Sequence, residues 1–201
     1  SIGDDPIPLD ALQFWVVLPE SARHGAAGFE RHTELPGLSL PAEQGADASA
    51  TVVLGEFAGV RSPATVHTPI VGAEIVVPAG ARVRLPLRPE WEHAVMLVEG
   101  DAQVAEHPLS LNDTLYLGDS RDTVTVESAE GALLFVLGGE PFEDEIVMWW
   151  NFAGRSHDEI AEAREEWEAA SARFGEVEGH DVRIPAPPLP PVRLMPRSRK
   201  L

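Results

Sequence analysis

Short apolar runs separated by glycine, proline, aspartate and asparagine fill the chain from 51 to 137. Within 71–77 and 82–85 every second residue is apolar, which places these residues on one face of a strand. The runs at 93–98 and 132–137 are continuously apolar, and we expect them to be buried on both faces. The regular spacing of runs and turns predicts an all-β fold, an antiparallel sandwich or barrel.

Two segments precede this β-rich region. The run LQFWVVLP at 12–19 is rich in β-branched and aromatic residues and predicts a further strand. The polar stretch at 20–49, which contains many glycine, alanine and proline residues, predicts a connector.

A helix is predicted after the β-rich region, at 151–175. Ser156 and Glu159 have the spacing of a capping box, with the serine at the N-cap and the glutamate three positions later. An apolar stripe with spacings of three and four residues predicts that the helix docks on another element, and Gly175 is the expected stop. The stripe consists of Ile160, Ala163, Trp167, Ala170 and Phe174.

The last segment, 176–201, contains six prolines between positions 185 and 196 and is predicted to be extended or polyproline II. We expect it to lie as a strap over its own domain or to form a loose tail. A ligand for an aromatic groove of another protein is a less favoured alternative.

The net charge excludes one class of partner. With 15 basic and 33 acidic residues the formal charge is −18, which repels phosphate backbones, so no nucleic-acid partner is expected. No apolar run is long enough to cross a bilayer, so no membrane partner is expected. The chain has no cysteine, which excludes disulfides and thiolate metal sites and fits a cytoplasmic location.

Histidine spacing argues against a metal site within this chain. None of the seven histidines is paired at i, i+2 on a strand or at i, i+4 on the helix, and a first-row metal needs three or four converging ligands. Neither a nucleophile elbow nor a phosphate-binding glycine motif occurs. The sequence therefore predicts no catalytic residue and no metal ligand here.

His93 is the histidine with the most informative position, because it opens the apolar run at 93–98. One interpretation is an imidazole that faces a pocket of the barrel beside Trp91 and Glu92. The simpler interpretation, which the sequence favours, is a histidine satisfied at the rim of a strand.

Three aromatic residues lie within four positions, at Trp149, Trp150 and Phe152. Packing in the core is the simpler interpretation. The alternative is an aromatic interface with a second domain or chain, since bulky aromatic residues are enriched at such contacts.

The segment LGGEPFEDEIVMWWNFAGRSHDEIAEAREEW at 137–167 closely resembles the C-terminal part of the pirin family. The segment at 62–87 resembles the second cupin of that family, and 12–19 resembles its inter-cupin strand. The resemblance implies an antiparallel, jelly-roll-like cupin β-barrel at about 46–150, the second of two cupins. The segment at 1–45 would then be a strand and linker left from the first.

The resemblance also implies where a metal would be bound. Pirins hold a metal, usually iron, with three histidines and one glutamate of the N-terminal cupin, in a P-H-P-H-like stretch and a later H-x-E. Neither motif occurs here, so the chain resembles a pirin that begins just after its metal site. In the second cupin His93 stands where metal-binding cupins place a glutamate, seven residues before Gly100. The positions where paired histidines are expected before it hold Leu87, Arg88 and Pro89.

Two functions follow from the resemblance. One is a metal-dependent dioxygenase that acts on flavonols such as quercetin, with this half inactive alone; the other is a non-enzymatic regulatory or protein-binding module. The expected partner is the N-terminal cupin or a second copy of the chain. Phe14 and Trp15, with the aromatic residues at 149–152, are the expected interface.

Overall fold

The computed structural model describes residues 11–176, 179 and 182–196, and most of their regular secondary structure is β. In chain order the strands are β1 (Gly37–Leu40), β2 (Ala42–Gln44), β3 (Ala48–Phe57), β4 (Val60–Arg61), β5 (Ile70–Val77), β6 (Ala81–Pro86), β7 (Glu92–Gly100), β8 (Ala102–Val104), β9 (His107–Leu109), β10 (Thr114–Gly118), β11 (Thr123–Ser128), β12 (Ala132–Gly139), β13 (Val147–Trp149) and β14 (Phe152–Gly154).

Two antiparallel sheets enclose the main core. The larger sheet has the order β1-β3-β5-β12-β7-β10, with β4 paired to β3, and the smaller has the order β2-β6-β11-β8-β9. Ile75, Leu97 and Leu134 of the larger sheet and Leu85 of the smaller are fully buried in one cluster. Burying each such side chain contributes about 1.5–3 kcal/mol. The predicted all-β, antiparallel fold is confirmed.

The segment before the sheets differs from the sequence expectation in two places. Residues 12–19 form no strand, and 20–49 contains β1 and β2, so the sheets begin upstream of position 46. The physical reason is that 12–19 lies over a sheet face, where Phe14 stacks on Phe135 with ring centroids 4.5 Å apart. Such a position gives the backbone no strand edge to pair with, whereas β1 pairs with β3.

The two apolar strands β7 and β12 are less deeply buried than predicted. Every second residue of β7 from His93 to Leu97 is buried, and the residues between them are only half-buried. In β12 Leu134 and Val136 face the core, while Phe135 is buried on the opposite face by the 12–19 segment. A strand with two apolar faces thus has one face in the core and one under a covering segment.

The predicted helix exists but is shorter than its apolar stripe. Helix α1 (His157–Glu168) has Ser156 as its N-cap, whose hydroxyl accepts from the Glu159 backbone N–H. The chain leaves the helix at Ala170, which has a φ of +53°. Phe174 therefore lies on a separate 3₁₀ turn that ends at Gly175, and only the cap of the predicted helix is confirmed in detail. No helix among the described residues has the length and hydropathy needed to span a bilayer.

The Pro-rich segment packs against α1, as the strap interpretation predicted. The Arg164 side chain donates to the Pro187 carbonyl at 2.6 Å, and the Ala186 backbone N–H donates to Glu168 Oε1 at 2.6 Å. The hydrogen bonds fix 182–196 as an extended strap along the helix. The tail beyond 196 and most of 177–181 lie outside the described residues.

Glu159 connects the start of α1 to the upstream segment. Its carboxylate accepts from the Arg155 backbone N–H at 2.9 Å and from Arg23 Nη1 at 2.9 Å. The Arg155 N–H lowers the pKa of Glu159 below its ordinary value of 4.5, and Arg23 adds to this effect while burial opposes it. The carboxylate form therefore stabilises the fold.

We expect Glu159→Gln to lower the free energy of unfolding at pH 7 by about 1–2 kcal/mol, because charged hydrogen bonds to Arg155 and Arg23 become neutral. Because the folded pKa is depressed, this stabilisation is present above the unfolded pKa and is lost as the pH falls through the folded value. The variant should accordingly lose less stability than the native chain in urea unfolding below about pH 4.5. Glu162→Gln, on an exposed part of the same helix, is the control. Parallel pH profiles of Glu159→Gln and the native chain would contradict the prediction.

Candidate functional site: a pocket at one end of the sandwich

The turn before β7 brings Trp91 and His93 to one end of the space between the sheets. Trp91 N–H donates to the Arg88 carbonyl at 3.0 Å, which closes the turn, and β7 then begins at Glu92. Trp91 and His93 are both almost fully buried, and their rings lie 6.4 Å apart at an interplanar angle of 25°. The pocket interpretation of these two residues thus has a geometric basis.

The Glu92 side chain lies on the opposite face of β7 from the His93 side chain. Successive side chains of a strand alternate between its faces, so Glu92 lies on the outer face of β7. There its carboxylate accepts a hydrogen bond from the Tyr116 hydroxyl at 3.0 Å. The structure therefore separates Glu92 from the inner pocket that Trp91 and His93 share.

A glycine on the neighbouring strand makes room for the His93 ring. Gly138 of β12 pairs with His93 in the ladder, and a Cβ built at position 138 would lie 2.5 Å from His93 Cδ2. Such a distance is too short for any side chain, so glycine at 138 lets the imidazole stand between the sheets. The Gly-Gly pair at 138–139 is visible in the sequence, but only the register of β12 against β7 shows that Gly138 lies beside His93.

His93 is electrostatically unusual. It is 3% exposed, and its buried Nδ1 has no hydrogen-bond partner among the described residues. Burial lowers the pKa of His93 below 6.5, against the backbone of Trp91 and the charge of Glu90, which act to raise it. The imidazole is therefore neutral at pH 7, and its unprotonated nitrogen is a hydrogen-bond acceptor. The Trp91 backbone hydrogen-bonds to the ring while Nδ1 has no partner among the described residues, so both interpretations of His93 stay predictions.

The inner pocket is small and mostly apolar. It has a volume of about 160 Å³, and Phe57, Val71 and Leu87 contribute to its walls along with Trp91 and His93.

A cluster of paired charges forms the mouth of this pocket. The Arg88 guanidinium lies 4.7 Å above the Trp91 ring and donates to Glu56 at 2.9 Å. Glu56 also accepts from Arg61 at 2.7 Å. The charged side chains at the mouth are thus already partnered, whereas Nδ1 of the buried imidazole has no partner among the described residues.

A second, larger groove lies on the outer face of the larger sheet. It has a volume of about 520 Å³ between the sheet and the segment at 14–17, with Phe135 on its floor and Tyr116 at its side. Phe14 is half-buried in its stack on Phe135, but Trp15 is 44% exposed. The 12–19 segment thus covers only part of the apolar outer face.

The aromatic residues at 149–152 belong to a second core. Phe152 is buried against Ile160 of α1, and Trp149 and Trp150 pack around it together with Trp167. Trp150 contacts Phe152 at a centroid distance of 5.2 Å. The packing interpretation describes this cluster within the chain, and a contact of its partly exposed edges with another domain stays a prediction.

The described residues do not fit a protein-bound iron. No three histidine, aspartate or glutamate side chains among them converge to hold a metal ion. His180 lies outside the described residues. Within the described part of the chain, His93 has no second and third ligand, so no chemical step through a metal is derived for this pocket.

Comparisons with known proteins agree with this architecture. The family described as "Pirin C-terminal cupin domain" matches residues 72–175. A Pseudomonas aeruginosa protein provisionally named a quercetin 2,3-dioxygenase is 37% identical over 181 residues, covering 90% of this chain and 56% of that protein. Pirin of Rattus norvegicus is 25% identical, covering 78% of this chain and 54% of that protein.

A solved structure extends the agreement to 90% of the chain. The crystal structure of a quercetin 2,3-dioxygenase from Acinetobacter baumannii superimposes with a TM-score of 0.79 and 35% identity, covering 90% of this chain and 59% of that chain. The fold is that of a cupin. The chain belongs to the pirin family and contains its C-terminal cupin, and it spans less than two thirds of the length of these relatives.

Proposed function

We propose that this chain is the C-terminal half of a bicupin with metal-dependent quercetin 2,3-dioxygenase-like activity. The observation that carries the proposal is the 35% identity and TM-score of 0.79 with a quercetin 2,3-dioxygenase across 90% of this chain. In the complete protein the iron and the chemistry would belong to the upstream cupin, and a cytoplasmic location is part of the same proposal.

The donor set supports the proposed division of labour. Activation of O₂ by iron needs a metal held by several ligands with positions left open for substrate and oxygen. The described residues bring no such set together, and the buried His93 stands alone. We therefore propose that this half is inactive by itself and that its contribution is structural or concerns binding.

The outer groove is the proposed contact with the upstream cupin. It is lined mainly by apolar side chains, and Phe14 and Trp15 lie beside it close to the beginning of the described chain. An apolar surface of this kind is stabilised when a partner covers it. Without the upstream half, a second copy of the chain is the proposed partner.

The test compares the 201-residue chain with a protein that also contains the upstream cupin. We expect about one iron per chain and quercetin turnover only for the longer protein, because only it supplies a ligand set. Elemental analysis and a flavonol-turnover assay on the same samples measure both quantities. Iron and turnover in the 201-residue chain alone would overturn the proposed division.

A non-enzymatic regulatory or protein-binding module is the alternative function. The observation that favours it is the outer groove, a large apolar surface that does not depend on a metal. The same assay separates the two functions, because a longer protein that binds iron without turning over quercetin would support the alternative.

A further inference from the structure

The inner pocket combines three features that point to a ligand. It is a cavity of about 160 Å³, its walls are mainly apolar and aromatic, and its lining includes a buried imidazole whose Nδ1 has no hydrogen-bond partner among the described residues. Buried polar atoms in folded proteins nearly always have a partner, and leaving one without costs about 1–3 kcal/mol. A group that forms a hydrogen bond with this nitrogen would therefore be favoured in this pocket.

We propose that this pocket binds a small neutral aromatic alcohol, with phenol as the simplest representative, whose hydroxyl donates a hydrogen bond to the imidazole of His93. The proposal goes beyond the dioxygenase function, because it requires neither a metal nor the upstream cupin.

The size of the ligand follows from the cavity. An apolar cavity of about 150 Å³ is known to accommodate benzene, so the pocket volume suits a single aromatic ring. Phe57, Val71 and Leu87 offer apolar contacts, and Trp91 offers an aromatic ring near His93.

The charge of the ligand follows from the mouth of the pocket. Arg88 is already bound to Glu56, which in turn is bound to Arg61, so these cations are engaged by a carboxylate. An anionic ligand would have to compete with Glu56 for the guanidinium groups, and a cationic ligand would face Arg88 directly. A neutral ring avoids both costs.

The donor on the ligand follows from the histidine. A neutral imidazole has one nitrogen that only accepts, and a phenol hydroxyl is a donor of matching strength. Toluene has a similar shape but no hydrogen-bond donor. The difference between the affinities of phenol and toluene therefore measures the contribution of the hydrogen bond. A hydrogen bond contributes about 1 kcal/mol net to the binding free energy, so removing its donor should weaken the affinity roughly fivefold.

The experiment is a titration of the 201-residue chain with phenol and with toluene at pH 7. Binding is measured by ligand-observed NMR and by the ¹⁵N chemical shifts of the His93 imidazole. We expect saturable binding of both, with phenol bound roughly fivefold more tightly and shifting a His93 ring nitrogen. His93→Phe should remove the preference for phenol while it retains toluene binding. His107→Phe, at an exposed histidine of β9, is the matched control.

Ala58→Trp is the second variant, because Ala58 lies in an exposed turn at the pocket mouth, outside the core, and its left-handed backbone (φ +48°) already carries a side chain. This variant should weaken the binding of both phenol and toluene without unfolding the chain. The proposal is overturned if phenol binds no more tightly than toluene to the native chain, or if Ala58→Trp leaves both affinities unchanged. It is equally overturned if the His93 nitrogen shifts do not respond to phenol.

Discussion

Gly55→Ala is expected to lower the free energy of unfolding by more than about 3 kcal/mol, a large fraction of the stability of a single domain. Gly55 has a φ of +68°, and a Cβ at this position would lie 1.8 Å from the Ile70 carbonyl oxygen. That oxygen belongs to the backbone of β5, which pairs with both β3 and β12, so it cannot move aside as a flexible side chain could.

Gly59 provides the matched control for this prediction. It has a φ of +81° in the turn between β3 and β4, but nothing lies within 4 Å of its added Cβ. Gly59→Ala should therefore cost only the left-handed backbone conformation, about 1 kcal/mol. Urea unfolding monitored by circular dichroism measures both variants, and equal losses of stability would contradict the steric argument.

Gly55→Ala is also expected to change the shape of the inner pocket. The Gly55 carbonyl accepts a hydrogen bond from the Ser62 N–H at 2.8 Å, which extends the pairing of the β3–β4 hairpin. That hairpin carries Phe57 and the mouth residue Ala58. A displaced β3 would move one wall of the pocket, so Gly55→Ala should also abolish phenol binding under conditions where the chain is still folded.

The β elements that local pattern determines were predictable from the sequence. Alternating residues at 71–77 and 82–85 correspond to β5 (Ile70–Val77) and β6 (Ala81–Pro86) within one residue at either end. The cap at Ser156 was equally clear, because it depends on two side chains only three positions apart. These signals need no knowledge of the rest of the fold.

Elements that depend on distant neighbours were not predictable in this way. The residues at 12–19 have strand-forming side chains, but a strand also needs a free edge, and here Phe14 stacks on a sheet face instead. The helix was expected to reach Phe174 because Gly175 resembles a stop, whereas Ala170 turns the chain five residues earlier without a glycine. Tertiary packing decides both outcomes.

The candidate site was half predictable for the same reason. The position of His93 at the start of an apolar strand indicated a pocket, and Trp91 lines the same cavity. The missing partner of Nδ1 and the room left by Gly138 arise from the pairing of β7 with β12, which no spacing along the chain reveals. Strand alternation should have placed Glu92 on the other face.

Trp167→Ala is expected to lower the free energy of unfolding by about 2–4 kcal/mol, less than for a fully buried tryptophan because the side chain is only partly buried. Its ring packs edge-on against Trp150 at 5.8 Å and Phe174 at 5.3 Å. Its indole N–H donates to the Ile184 carbonyl at 2.8 Å, and Arg183 lies 4.3 Å above the ring. One side chain thus joins the helix, the 3₁₀ turn and the Pro-rich strap.

Release of the strap is the specific consequence of this substitution. The Ala186 amide, which donates to Glu168 at 2.6 Å, should exchange with solvent faster in Trp167→Ala, and the strap should become sensitive to proteases. Trp167→Phe keeps most of the ring packing but loses the indole donor, so it should cost about 1 kcal/mol. Trp15→Ala, at a tryptophan that is 44% exposed and far along the chain from the strap, is the control. If Ala186 exchanges equally fast in Trp167→Ala and Trp15→Ala, the strap is held by its backbone contacts with Arg164 and Glu168 rather than by the tryptophan.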